Sequence, residues 1–105
     1  MNIFIHFFSL NQQEIYEIDD EKKLFKYNGD NIKADCSNIS QKISLLSQSW
    51  PKKLENQQIC DGLKVKITIE DKGDKKTYIF KNDFPANFPE LTEVLDDSTN
   101  IFRDL

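Results

Sequence analysis

A chain of 105 residues, 38% apolar and 30% charged, is long enough to bury a real core in one domain, and this composition argues against both a disordered and a membrane-spanning chain. Its 18 acidic and 14 basic residues leave a formal charge of −4, which argues against a generic nucleic-acid binder, because releasing counterions from phosphate needs a basic face. The same charge suits a basic protein partner and is also ordinary for solubility.

The opening MNIFIHFFSL lacks a basic leading region and a small-residue cleavage site, and it is too short to span a bilayer. It predicts a strand. Within it, residues 3–8 are apolar on both alternating faces, Ile3, Ile5 and Phe7 on one and Phe4 and Phe8 on the other. That pattern predicts a central strand covered on both sides. EIYEI at 14–18 and LFKY at 24–27 predict two further strands, with the polar DDEKK between them as a hairpin tip.

From about residue 35 to 50 the period changes. Cys36, Ile39, Ile43, Leu46 and Trp50 recur at steps of three and four, the stripe of an amphipathic helix with Asp35 or Ser37 as N-cap. Pro51 ends it, because the residue before a proline is pushed out of the helical region. Trp50 continues the stripe and reads as a core anchor.

LKVKITIE at 63–70 alternates strictly, with Leu63, Val65, Ile67 and Ile69 inward and Lys64, Lys66, Thr68 and Glu70 outward, as an antiparallel sheet with one wet face requires. DKGDKK at 71–76 supplies the turn, with Gly73 in its middle, and TYIFK at 77–81 returns. NDFPANFPEL at 82–91 then joins strand to helix. The pair Phe84-Pro85 forces an extended step and drops Phe84 toward the core. Asn87 serves as N-cap, with Pro89 in the first turn and Glu90 completing a capping box. Phe88, Leu91, Val94 and Leu95 form the apolar face of a helix running to about residue 97. The expected fold is a single α+β domain over 1–105, with about five antiparallel strands and two helices on one face, in the order β-β-β-α-β-β-α.

No catalytic constellation stands out. The sole histidine, His6, sits between phenylalanines in the first strand, without a partnered nucleophile or acid. The three glycines make no phosphate loop, and Asp71, Gly73 and Asp74 read as a turn rather than a calcium loop. Cys36 and Cys60 form no CxxC, the usage of reduced thiols in a cytosolic protein. The expectation is a protein that is not an enzyme and uses no metal or cofactor. The carboxylates cluster instead: Asp19, Asp20 and Glu21 at one predicted tip, Glu70, Asp71 and Asp74 at another, with Asp96 and Asp97 closing the last helix. Lys22, Lys23, Lys72, Lys75 and Lys76 dilute the first two clusters. Those six tip carboxylates are the candidate contacts to a basic partner.

The second half has a recognisable arrangement. Trp50 ends a helix, Asp61-Gly62 leads into the alternating strand, and Asn82, Phe84, Pro85, Asn87 and Phe88 follow the return strand. Over about residues 50–95 this resembles small bacterial immunity proteins of polymorphic-toxin and contact-dependent growth inhibition systems. Many of those carry Trp after the Asp-Gly, where this chain has Lys64, Val65 and Lys66, and Gly before the Asn, where this chain has Lys81. The resemblance implies a cytoplasmic inhibitor that binds one cognate toxin and blocks its active site. Many such toxins are nucleases with basic clefts, which suits an acidic inhibitor. The motif residues are implied to be scaffold, and no contact residue carries over. Two other readings stand beside it: a nucleic-acid-binding module using Lys64, Lys66 and Lys81 on the wet sheet face, and a structural or adaptor subunit of a bacterial assembly.

Overall fold

The structure is a computed structural model that describes residues 1–58 and 62–103, with side chains described as far as residue 97. Strand β1 (Asn2–Phe8) organises the sheet. It pairs antiparallel with β2 (Gln13–Asp19) on one side and with β6 (Lys64–Asp71) on the other. Outward from β2 lie β3 (Leu24–Tyr27) and β4 (Asp30–Asn31); outward from β6 lie β7 (Asp74–Lys81) and β5 (Lys53–Glu55). The order across the sheet is β4-β3-β2-β1-β6-β7-β5. Helix α1 (Cys36–Ser47) precedes β5, and helix α2 (Phe88–Arg103) follows β7. No helix among the described residues is long and apolar enough to cross a membrane.

The α+β class with two helices agrees with the sequence reading, but the sheet has seven strands rather than five. The two additional strands are short. Asp30–Asn31 pairs back on β3 through a two-residue turn at Asn28 (φ 49°) and Gly29 (φ 86°), and two residues carry no readable period. Lys53–Glu55 lies just past Pro51 and runs parallel to β7, so the sheet is mixed rather than purely antiparallel. Nothing in a three-residue Lys-Leu-Glu run announces a strand; it forms because β7 offers a free edge. The hairpin between β6 and β7 is tighter than the six-residue turn expected. Asp71 faces Asp74 directly, and only Lys72 (φ 52°) and Gly73 (φ 81°) turn the chain. Positive φ at both positions matches the right-handed twist of the flanking strands.

Only one face of the sheet is covered. Ile3, Ile5, Ile18, Phe25, Val65, Ile67 and Phe80 share a core with Ile39 and Ile43 of α1 and Leu91 and Leu95 of α2. On the opposite face of β1, Phe4 is 43% exposed. The expectation that β1 is covered on both sides therefore fails. Its second apolar face is open to solvent.

Helix α1 starts where Asp35 caps it, accepting the Asn38 amide at 3.2 Å. It ends at Ser47, so Trp50 lies just beyond the helix; its amide reaches back to the Ser47 carbonyl at 3.1 Å. Trp50 is buried as the stripe requires. Asp96 and Asp97 do not close α2, which continues to Arg103. The Cys36 thiol is buried, and desolvation followed by the charge of Asp35 pushes its pKa up, which makes it a poor nucleophile. Cys60 lies outside the described residues.

One buried polar group lacks a partner among the described residues: the Ser40 hydroxyl, on the sheet-facing side of α1. A buried hydroxyl without a hydrogen bond costs about 1–3 kcal/mol, and Ala is the better helix former. Ser40→Ala is expected to stabilise the protein by about 1 kcal/mol, raising Tm by roughly 4–8 °C in thermal unfolding. A lower Tm would mean instead that the hydroxyl bonds the carbonyl one turn back.

Candidate functional site

The motif residues form a joint between the two helices. Trp50 Nε1 donates to Asn87 Oδ1 at 2.6 Å, and Asn87 Nδ2 donates to the Leu46 carbonyl at 3.0 Å and to Ser49 Oγ at 3.2 Å. The Asn87 side chain therefore ties the end of α1 to the start of α2. This corrects the capping-box expectation: the Asn87 oxygen faces the indole, and the Glu90 amide is held by the Asn87 main-chain carbonyl at 3.2 Å. Trp50 stands edge-on to Tyr78 and Phe80, at 5.3 and 5.7 Å between ring centroids. Phe84 is half-buried and stacks on Phe88 at 4.5 Å, and the Pro85 carbonyl accepts the Phe88 amide. A side chain at Gly62 would collide with the Asn82 amide group, and Asn82 itself sits at φ 56° with its amide on the Leu63 carbonyl. Gly62 and Asn82, twenty positions apart, thus fit into one another. Asp61 lies outside the described residues.

The two acidic tips meet. Asn2 pairs with Asp19 on one side and Glu70 on the other, so the β2–β3 and β6–β7 turns emerge at the same end of the sheet on either side of β1. Not every carboxylate there is available to a partner. Asp19 Oδ1 accepts the Glu21 and Lys22 amides at 3.0 and 3.1 Å, a local turn closure. Asp20 binds the Met1 ammonium at 2.8 Å, and this bond, with the charges of Asp20, Glu21 and Asp71, raises the pKa of the amine. Glu21, Glu70 and Asp74 are exposed. Among the described residues the carboxylates do not draw together into a metal-holding group.

The open sheet face carries a second arrangement: the sequence reading placed its lysines, Lys64, Lys66 and Lys81, but missed the aromatic row beside them. Phe4, His6 and Phe8 alternate with the buried residues of β1 and so lie on the uncovered side. The His6 and Phe8 rings lie against each other at 3.5 Å between centroids, tilted by 34°, and His6 Nε2 is 3.3 Å from Gln13 Oε1. Across the strands, His6 is flanked by Ile15 and Lys66, and Phe8 by Gln13 and Lys64; Lys64 in turn pairs with Lys81. Lys64 Nζ stands 5.9 Å from the Phe8 centroid, within cation–π reach. An aromatic row with lysines along its β6 side, and Glu17 of β2 opposite Phe4, can stack flat groups and meet anions at the Phe8 end. The signal was present in IFIHFF but was absorbed by the expectation of a second covering layer.

Loss of the Asn87 side chain strands a buried indole N–H and releases the end of α1. Asn87→Ala is expected to destabilise the fold by about 2–3 kcal/mol in denaturant unfolding. In a double-mutant cycle with Trp50→Phe, a coupling of about 1 kcal/mol is expected, and additivity within about 0.5 kcal/mol would show that the bond contributes nothing. Comparison with protein-family models, with curated proteins and with solved structures returned no match for this chain.

Proposed function

We propose that this chain is a cytoplasmic immunity protein that binds one cognate bacterial toxin domain of basic surface, a nuclease in the favoured case, and neutralises it by occupying its active site without turnover. The observation that carries the reading is the meeting of the two acidic tips. Residues about fifty positions apart present Glu21, Glu70 and Asp74, all exposed, at one end of the sheet. The arrangement suits a basic cleft, since complementary fields speed encounter and fix orientation. The resemblance of residues 50–95 to immunity proteins supplies the biological setting, with Trp50, Gly62, Asn82, Phe84, Pro85, Asn87 and Phe88 as scaffold. The test is co-expression with the product of the adjacent upstream gene, scored by cell survival and co-purification. Protection is expected, and the triple variant Glu21→Lys, Glu70→Lys, Asp74→Lys should slow association by at least about tenfold at low salt. A lack of protection against any neighbouring or candidate toxin would sink the reading, and an unaltered association rate would move the interface away from this rim.

A second reading is favoured by the open sheet face: a module for single-stranded nucleic acid. Phe4, His6 and Phe8 offer stacking surfaces, and Lys64, Lys66 and Lys81 offer phosphate contacts. It predicts oligonucleotide binding at about 50 mM salt, where phosphate contacts are strong, and a loss of about 1–3 kcal/mol on Phe4→Ala. No binding at that salt dismisses it.

A further inference from the structure

Between α1 and α2 runs an open cleft of about 550 Å³. Its apolar lining comes from Ile39, Leu45 and Leu46 of α1 and Val94 of α2, and Leu45 is 66% exposed. A leucine this open beside other apolar groups is unusual for a helix whose partner face is already buried. The rim is charged and one-sided. Among the described residues, Asp35, Glu90, Glu93 and Asp97 stand around the cleft against one cation, Lys42. None of these five takes part in an ion pair among the described residues. The Asn87 joint holds the two helices together at one end, so the cleft is bounded by fixed walls rather than by free side chains.

We propose that this cleft is a docking groove for a cationic amphipathic helix. The shape and the charge select the occupant together. A furrow between two packed helices accepts the ridge of a third, whose apolar side chains at steps of three and four would sit over Leu45 and Val94. Lysines or arginines flanking that stripe would meet the carboxylates on both rims, in a setting drier than bulk water. A second copy of this chain is a poor occupant, because its lysines Lys64, Lys66 and Lys81 stand on a strand surface, which offers no apolar helical ridge to enter the furrow. Nucleic acid is repelled by the same rim. The proposal goes beyond the toxin reading, since the groove selects the segment by its chemistry whichever protein carries it.

The test uses the full chain, labelled with 15N, and a synthetic helical Leu/Lys peptide with its leucines on one face. A sequence isomer of identical charge, with the leucines scattered around the helix, serves as the control. Shift changes are expected over residues 34–46 and 90–97, with the isomer binding at least about tenfold more weakly and affinity falling as salt rises. Leu45→Ser and Glu93→Lys, both at exposed positions where folding is not at risk, should each weaken the peptide by about tenfold. Equal binding of the two peptides would reduce the effect to bare charge attraction and overturn the proposal. Shifts confined to the sheet face, no binding, or no effect of Leu45→Ser would overturn it as well. Sedimentation showing a dimer that Leu45→Ser dissociates would assign the groove to a second copy instead.

Discussion

The bond from the Trp50 indole to the Asn87 side chain is the constraint on which the arrangement of the second half rests. The indole is buried and the Asn87 amide partly so, and each needs a partner: the indole can only donate, and the amide both donates and accepts. Asn87 meets both needs at once, accepting from Trp50 and donating to the end of α1. One side chain therefore satisfies a carbonyl that helix termination leaves open, and it sets the start of α2 against the end of α1. The Trp50 ring packed edge-on against Tyr78 and Phe80 then seats this joint on the sheet. The aromatic contacts and the hydrogen bond reinforce one another, since the ring has to be buried there for the bond to be worth its full strength.

From that joint follows a molecule with two unlike sides. Helices cover one face of the sheet, and their outer flank is acidic and partly apolar around the α1–α2 cleft. The uncovered face is aromatic along β1, with lysines on β6 and β7 to one side and Glu17 of β2 opposite Phe4 on the other. A net charge of −4 conceals this separation, because it averages over opposite faces. Whole-chain charge speaks to solubility and encounter, while recognition depends on where the charges stand. Two surfaces of opposite character also explain why protein-binding and nucleic-acid readings both find support in one small chain.

Short-range patterns were legible in the residues. The strict alternation of 63–70, the three-and-four spacing of Cys36, Ile39 and Ile43, and the turn at Gly73 all correspond to real elements, while α1 already ends at Ser47, short of the break expected at Pro51. They are readable because an element must bury one face, and its own period records which residues do so. β4 and β5 were not legible, being two and three residues long and existing only through pairing with β3 and β7. Nor was the role of Asn87. Its local context, three residues ahead of Glu90, spells a capping box, but the partner that takes its oxygen lies 37 positions away.

By itself the sequence determined the class of fold, its helices, most of its strands and nearly all of its core, because local period and burial are written in the same residues. Tertiary structure alone decided that Phe4, His6 and Phe8 face solvent, that two distant acidic turns meet beside β1, and that a cleft with an acidic rim opens between the helices. Each of these depends on pairing register and on which face the helices cover. Those are agreements between distant segments that no single segment contains.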